Sequence, residues 1–243
     1  MKPKILVFIL LGILAVLLAF FLLSKKDRAI KEAYRIETIS IPKDIFLEVG
    51  GLAFTDKDQL GISTRRGEVW ILENPYLAGN EKPVFKKYAS GLHEPLGLAW
   101  YHHNFVLSQR GELTELQDTD GDGTADKYKA IYSWPLSGNY HEYSYGPVLD
   151  HDSNMLVTLN STWAGDHMES LAKWRGWLLK ITPEGEITPW ATGLRSPAGL
   201  GINPEGDIFY SENQGDWVGS GRITHLEKGD FAGNPAGLRW TDE

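Results

Sequence analysis

The chain has 243 residues, a net charge of −8 and no cysteine. The length suits one fair-sized domain or two small ones, and an apolar content of 42% excludes a wholly disordered chain. Zero cysteines exclude a disulfide scaffold, a thiolate zinc site, an iron–sulfur cluster, a c-type haem attachment and a thiol nucleophile.

Five basic side chains against one acidic in residues 1–28 leave a charge of −12 on the remainder. So acidic a body argues against nucleic-acid binding, which needs a basic surface. Ile5 to Leu23 is an unbroken apolar run of 19 residues with lysines on both sides. As a helix it would span about 28 Å, close to the hydrocarbon thickness of a bilayer. The run ends in Phe20-Phe21-Leu22-Leu23 with no small-residue cleavage pattern after it, which favours a signal anchor over a cleaved signal. Residues 1–28 are therefore expected to be a transmembrane segment and residues 29–44 a charged linker, helical through Lys31-Glu32-Ala33. A single amino-terminal anchor usually leaves the body outside, so the expected location is the inner membrane with residues 45–243 on the periplasmic, extracytoplasmic side.

Beyond residue 45 the helical period disappears. Short β-rich runs such as Glu68–Leu72, Asn154–Leu159 and Asp207–Ser211 alternate with Gly, Pro, Asn and Asp clusters. The runs repeat. Gly51-Leu52-Ala53-Phe54 and Gly97-Leu98-Ala99-Trp100 each precede a turn, a strand, an Arg-Gly-Glu and a further strand. Gly146 and Gly199 begin two more such units, so the starts lie 46, 49 and 53 residues apart. A period near 50 with about four strands per unit predicts an all-β fold, a β-propeller, rather than a sandwich. About four blades fit over residues 45–243, fewer than propellers of this repeat length usually need to close, so the domain is expected to be part of a larger ring.

Up-and-down strands sort the loops onto two faces. One face holds plain turns, Thr55–Asp58 and Asn203–Asp207. The other gathers the loops ahead of each first strand, with His93-Glu94, His141-Glu142 and Arg195-Ser196, and the loops after each second strand, with Arg65-Arg66, Gln109-Arg110, Asn160-Ser161 and Glu212–Asp216. A site is expected on that richer face, near the axis.

Asp118-Thr119-Asp120-Gly121-Asp122-Gly123-Thr124-Ala125-Asp126 follows the third strand of the second unit. Carboxylates at positions 1, 3 and 5, a Gly at 6 and a backbone carbonyl at 7, from Thr124, match the start of a calcium loop. Position 12 is Lys129 instead of a bidentate Glu, so Asp126 is the candidate late ligand, the alternative being a solvated acidic turn. The loop falls on the face opposite the candidate site, so this calcium would be structural.

His93-Glu94 and His141-Glu142 lack the second histidine of a zinc protease motif. His141, among Asn139, Tyr140, Tyr143 and Tyr145, is either a structural histidine or a base for an alcohol or hydrate. Arg195, between Gly193 and Pro197, could hold a carboxylate bidentately or bridge to a neighbouring blade. Trp163 and Trp217 fall in loops of the same face and could stack on a sugar or a planar cofactor.

Gly193–Leu200, Asn203–Gly215, His93–Trp100, Asp118–Gly123 and His141-Glu142 together resemble the PQQ-dependent sugar dehydrogenases, the soluble glucose and sorbosone dehydrogenase-like proteins, and among them the "membrane-bound dehydrogenase" propellers. The resemblance runs over about residues 45–243. It implies a six-bladed propeller with the quinone near the axis, His141 as general base, and Arg195 on a cofactor carboxylate. Ser196 stands where the family often has Asn, and Asn213 and Gln214 fall in a loop whose family counterpart helps hold the cofactor's calcium. The implied activity is oxidation of a sugar or other alcohol or aldehyde, with a cytochrome or quinone as respiratory electron acceptor. Two other readings stay open: a non-catalytic propeller that binds glycans or a protein, and a calcium-dependent, lactonase-like hydrolase.

Overall fold

The structure is a computed structural model that describes residues 13–22, 36–79, 81–161, 172–214 and 219–241. The chain divides into two compact units, Met1–Lys43 and Asp44–Glu243. In the first, residues 13–22 are helical, and among the described residues no helix is long and apolar enough to cross a membrane. The rest of the Ile5–Leu23 run and the Lys31–Ala33 turn lie outside the described residues.

The second unit is all-β. Four antiparallel sheets follow one another along the chain: β1 (Val49–Phe54) to β4 (Val84–Ala89) with β2 (Leu60–Thr64) and β3 (Glu68–Glu73) between; β5 (Ala99–Tyr101), β6 (Asn104–Ser108), β7 (Glu112–Gln117) and β8 (Lys127–Ser133); β9 (Ser144–Leu149), β10 (Met155–Leu159), β11 (Trp177–Ile181) and β12 (Ile187–Thr192); and three strands, β13 (Pro197–Ile202), β14 (Ile208–Glu212) and β15 (Arg222–Leu226). Each sheet runs in simple up-and-down order. The first strands β1, β5, β9 and β13 contact one another in series, which is the blade arrangement of a propeller. A 3₁₀ helix, Pro235–Trp240, closes the described chain, its first turn capped by Asn234 Oδ1 on the Ala236 N–H.

Among the described residues the core consists of three apolar layers, one between each pair of successive blades. Val69, Tyr88 and Ala89 meet Leu98, Phe105, Leu107 and Leu116 between the first two. Val106 and Leu113 meet Met155, Val157 and Leu179 between the second and third. Leu156, Leu178 and Ala191 meet Ile208, Tyr210 and Leu226 between the third and fourth. Successive side chains point to opposite faces of a strand. Phe105 and Leu107 therefore pack backward and Val106 forward, and in β10 Leu156 likewise faces away from Met155 and Val157, which is why both strands carry apolar residues on both faces.

The repeated glycines sit where the blades approach most closely. A Cβ on Gly51 would overlap the Gly97 backbone, and one on Gly97 would overlap that of Gly146, both inside the 3.0 Å that real Cβ contacts essentially never breach. Hydroxyls on the second strands tie these inner strands together. Ser63 Oγ donates to the Gly97 carbonyl at 3.1 Å, and Thr158 Oγ1 to the Pro197 carbonyl at 3.0 Å.

Candidate functional site

A cavity of about 460 Å³ opens between the third and fourth blades on the richer face. His141, Tyr143 and Tyr145 reach it from the start of blade three, Asn160 and Ser161 from the loop after β10, Arg195 and Ser196 from the loop before β13, and Glu212, Asn213 and Gln214 from the end of β14. His141, Arg195, Ser196, Asn213 and Gln214, separate in sequence, thus share one cavity. Trp163 and Trp217 lie outside the described residues.

The Arg195 turn is fixed at nearly every backbone polar group. Leu194 is fully buried, and its N–H donates to the Gly176 carbonyl at 3.1 Å. Its carbonyl accepts Ser161 Oγ at 3.2 Å, and the Arg195 carbonyl accepts the Ser161 N–H at 3.0 Å. The Ser196 carbonyl accepts the Asn213 N–H at 3.1 Å. Gly193 turns the chain with φ +83°, where a Cβ would strike the Ala232 N and Phe231. Glu212, 3% exposed, completes the turn: one carboxylate oxygen accepts the Arg195 N–H at 3.1 Å and the other accepts the Ser196 N–H. The Arg195 guanidinium meets Ser196 Oγ and the Gln214 carbonyl. The guanidinium therefore stands on a rigid base.

His141 is held from both sides. Its N–H donates to Asn139 Oδ1 at 2.9 Å, its carbonyl accepts the Tyr143 N–H at 2.8 Å, and its imidazole lies against Tyr140 with ring centroids 3.9 Å apart. The neighbouring Glu142 is fully buried and accepts the Ser137 N–H and hydroxyl at 2.8 and 2.6 Å, which closes the loop beneath it. Arg175, 1% exposed, reaches across from the loop before β11 and donates to the Tyr143 and Arg110 carbonyls at 2.8 and 3.2 Å. Burial pushes its pKa down to about 10, although nearby Glu142 favours the charged form. Toward the axis, Arg65 and Arg110 flank the Tyr143 ring, with guanidinium carbons 5.7 and 4.7 Å from its centroid. Both pair with Glu94, whose partial burial disfavours ionisation but is outweighed by the two guanidiniums, so its carboxyl stays below the usual range. Burial pushes the Tyr145 hydroxyl up, and the Tyr143 and Glu212 charges add to this against Arg65.

Three residues of the cavity stood in loops that the sequence placed on this face, but it gave them no role there. Glu212 and Ser161 act on backbone groups far away in sequence. Asn160, 5% exposed, has an Oδ1 that is buried without a hydrogen-bond donor among the described residues. Such an atom costs about 1–3 kcal/mol when left unpaired.

On the opposite face the acidic loop joins β7 to β8. Asp118, Asp120 and Asp122 place a carboxylate oxygen each within 4.8 Å of one another. Asp118 accepts the Gly121 and Gly123 N–H groups at 2.8 and 2.9 Å, and Asp122 accepts that of Thr124 at 2.8 Å. Asp126 stands apart from this group. Its two oxygens accept the Thr119 hydroxyl and N–H at 2.6 and 3.0 Å, and those bonds hold its carboxyl below the usual range.

Four blades in simple order, with a polar cavity at the axial end of the last two, define a β-propeller of the kind that carries small-molecule sites on one face. A family described as a domain of unknown function, DUF7133, matches residues 65–237, and the chain belongs to it. No curated protein matches the chain. Among solved structures it is similar to an oxidoreductase of Thermus thermophilus described as a candidate glucose dehydrogenase, at 21% identity and TM-score 0.62, over 78% of this chain and 65% of that one. It is also similar to the PQQ-bound aldose sugar dehydrogenase of Streptomyces coelicolor, at 12% identity and TM-score 0.63, over 82% of this chain and 64% of that one. A protein described as a candidate gluconolactonase matches at 13% identity and TM-score 0.52, over 74% of this chain and 64% of that one. At these identities the likeness is one of fold, and the chain spans about two thirds of the length of each neighbour.

Proposed function

We propose that this propeller is a PQQ-type quinoprotein dehydrogenase that oxidises a sugar or another alcohol or aldehyde. The observation that carries this reading is the meeting of His141, Arg195, Ser196, Asn213 and Gln214, from three separate loops, in one cavity. The residues present fit the cofactor. The cavity has the volume of a small-molecule site, a guanidinium on a fixed turn suits a carboxylate, and the Asn160 amide has hydrogen-bonding capacity to offer. Arg195 would hold a cofactor carboxylate, with Ser196, Asn213 and Gln214 around it. When bound, the quinone supplies the two-electron acceptor. A ring nitrogen of His141 takes the proton from the substrate hydroxyl, and the Asn139 and Tyr143 contacts fix the backbone that carries the imidazole. Among the described residues, the acidic side chain lining the cavity is Glu212, and its oxygens are occupied by backbone N–H groups.

Asp118, Asp120, Asp122 and the Thr124 carbonyl would hold a structural calcium ion, and Asp126 would either leave Thr119 to join them or stay to close the loop. The Ile5–Leu23 run would anchor the chain in the inner membrane with the propeller on the periplasmic side, where a cytochrome or quinone could take the electrons.

The test is a titration with PQQ and calcium, followed by absorbance and dye reduction with a sugar panel. A saturable quinone spectrum that one sugar bleaches is expected, with His141→Ala binding the quinone but no longer bleaching it. Absence of binding at micromolar PQQ overturns the dehydrogenase, and cleavage of a lactone without any acceptor puts the hydrolase in its place. Calcium alone should raise the melting temperature, and Asp120→Asn should cancel that gain.

A further inference from the structure

One buried polar side chain in the cavity has no part in shaping it. Asn160 follows β10 and lines the cavity beside Ser161, Tyr145 and Ser211. Its backbone N–H donates to the Tyr143 carbonyl at 3.0 Å, so its main chain is fixed. Its Oδ1 is shut off from solvent and receives no hydrogen bond from the described residues. Ser161 and Glu212 behave differently. Ser161 Oγ donates to the Leu194 carbonyl, and both Glu212 oxygens accept backbone N–H groups. The turn that forms the cavity wall is therefore satisfied without Asn160.

A buried amide oxygen without a donor destabilises the free protein, and native structures rarely keep one without a reason. A binding site is such a reason, because a turn of the amide that brings its oxygen to the cavity lets a ligand supply the missing bond. Rotation about χ2 lets the amide present either its oxygen or its NH₂ to the cavity, and a hydroxyl can pair with either. An apolar side chain of the same size would fill the space at lower cost to the free protein.

We infer that Asn160 is a ligand-contacting residue that pairs with a hydroxyl or N–H of the bound molecule. This role rests on the cavity being the binding site proposed above, though not on its redox step. Stability and affinity should then respond to substitution independently.

The experiment uses the full chain with Asn160→Leu, which is nearly isosteric, and Asn160→Ala, which adds no bulk. Thermal unfolding is measured beside two titrations, D-glucose by saturation-transfer NMR and PQQ with calcium by absorbance. The expected result is a melting temperature unchanged in both variants, or raised by about 2–4 °C in the leucine variant. Affinity for at least one probe should fall about tenfold in both. Wild-type affinity for both probes in the variants overturns the role. So does a drop of several degrees in melting temperature in both variants, which would make the amide structural, and so does a wild type that binds neither probe. A wild type that binds a probe but never reduces dye defeats the dehydrogenase alone, and the affinities then still decide the role of Asn160.

Discussion

Both oxygens of Glu212 are occupied by the N–H groups of Arg195 and Ser196, so this buried acid acts on the turn and not on a ligand. Glu212→Gln keeps the shape but replaces one acceptor with a donor that faces another N–H. The loss is expected to be about 1–3 kcal/mol in a urea titration, with amide exchange at Arg195 and Ser196 rising more than elsewhere. Equal exchange across blade four would show that the turn holds without the carboxylate. Arg195 and His141 were legible in the sequence because the repeat placed them in loops of one face, and a cation or imidazole in such a loop stands out by type. The repeat placed Glu212 and Asn160 on that face too, but what they and Arg175 do was not legible, since for Glu212 and Arg175 it is set by the distant backbone groups they meet and for Asn160 by the lack of a donor at its amide oxygen. Burial of Arg175 against the Tyr143 and Arg110 carbonyls leaves no local pattern in Trp174-Arg175-Gly176.

At the scale of strands and turns, the repeat glycines carried most of the information. Each marks a first strand, and Gly51 against Gly97 and Gly97 against Gly146 show why no side chain fits there. Gly51→Ala must push blades one and two apart, with a destabilisation above about 3 kcal/mol expected in guanidinium unfolding. A loss below about 1 kcal/mol, the size of an ordinary substitution, would mean that the inner strands are not packed backbone to backbone. Strand positions followed from β-rich runs between turn clusters, whereas strand ends shifted by a residue, as where β10 begins at Met155 and not Asn154. The turn after β9 adds an electrostatic element that the sequence hid. Asp150 is largely buried, which disfavours ionisation, but Lys180 at 2.7 Å and the Asn154 amide outweigh this and hold its carboxyl below the usual range. A lowered folded pKa stabilises fully above the unfolded value of 3.8, and that stability is lost as pH falls through the folded value. Asp150→Asn is thus expected to cost about 1 kcal/mol at pH 7 and to flatten the acid limb of melting temperature below about pH 4. An unchanged acid limb would show that the Lys180 pair contributes nothing.

For the molecule as a whole, each apolar layer belongs to two neighbouring blades, so the fold is held by contacts between successive units. The outward face of blade one, by contrast, shows Leu52 and Phe54 at 55% and 47% exposure, and the outward face of blade four shows Ile223 at 78%. The number of blades could be read from glycine spacing because a propeller repeats its backbone contacts. The amino terminus gave only a composition signal, since an apolar run fixes a preference for lipid and not a partner. The three inter-blade layers lie wholly within Asp44–Glu243, and Met1–Lys43 forms its own unit. Removing residues 1–43 should therefore leave the strand circular dichroism intact and move the melting temperature by no more than about 1 °C. The charge of −13 on residues 44–243 should keep the shortened chain soluble, while the 19 apolar residues of Ile5–Leu23 should carry the full chain into the membrane pellet. Carbonate extraction distinguishes an anchor, which stays in the pellet, from a surface-bound chain, which is released. A full chain that remains in the supernatant before extraction would end the anchor reading, and a truncated chain that melts several degrees lower would show that the first unit supports the propeller.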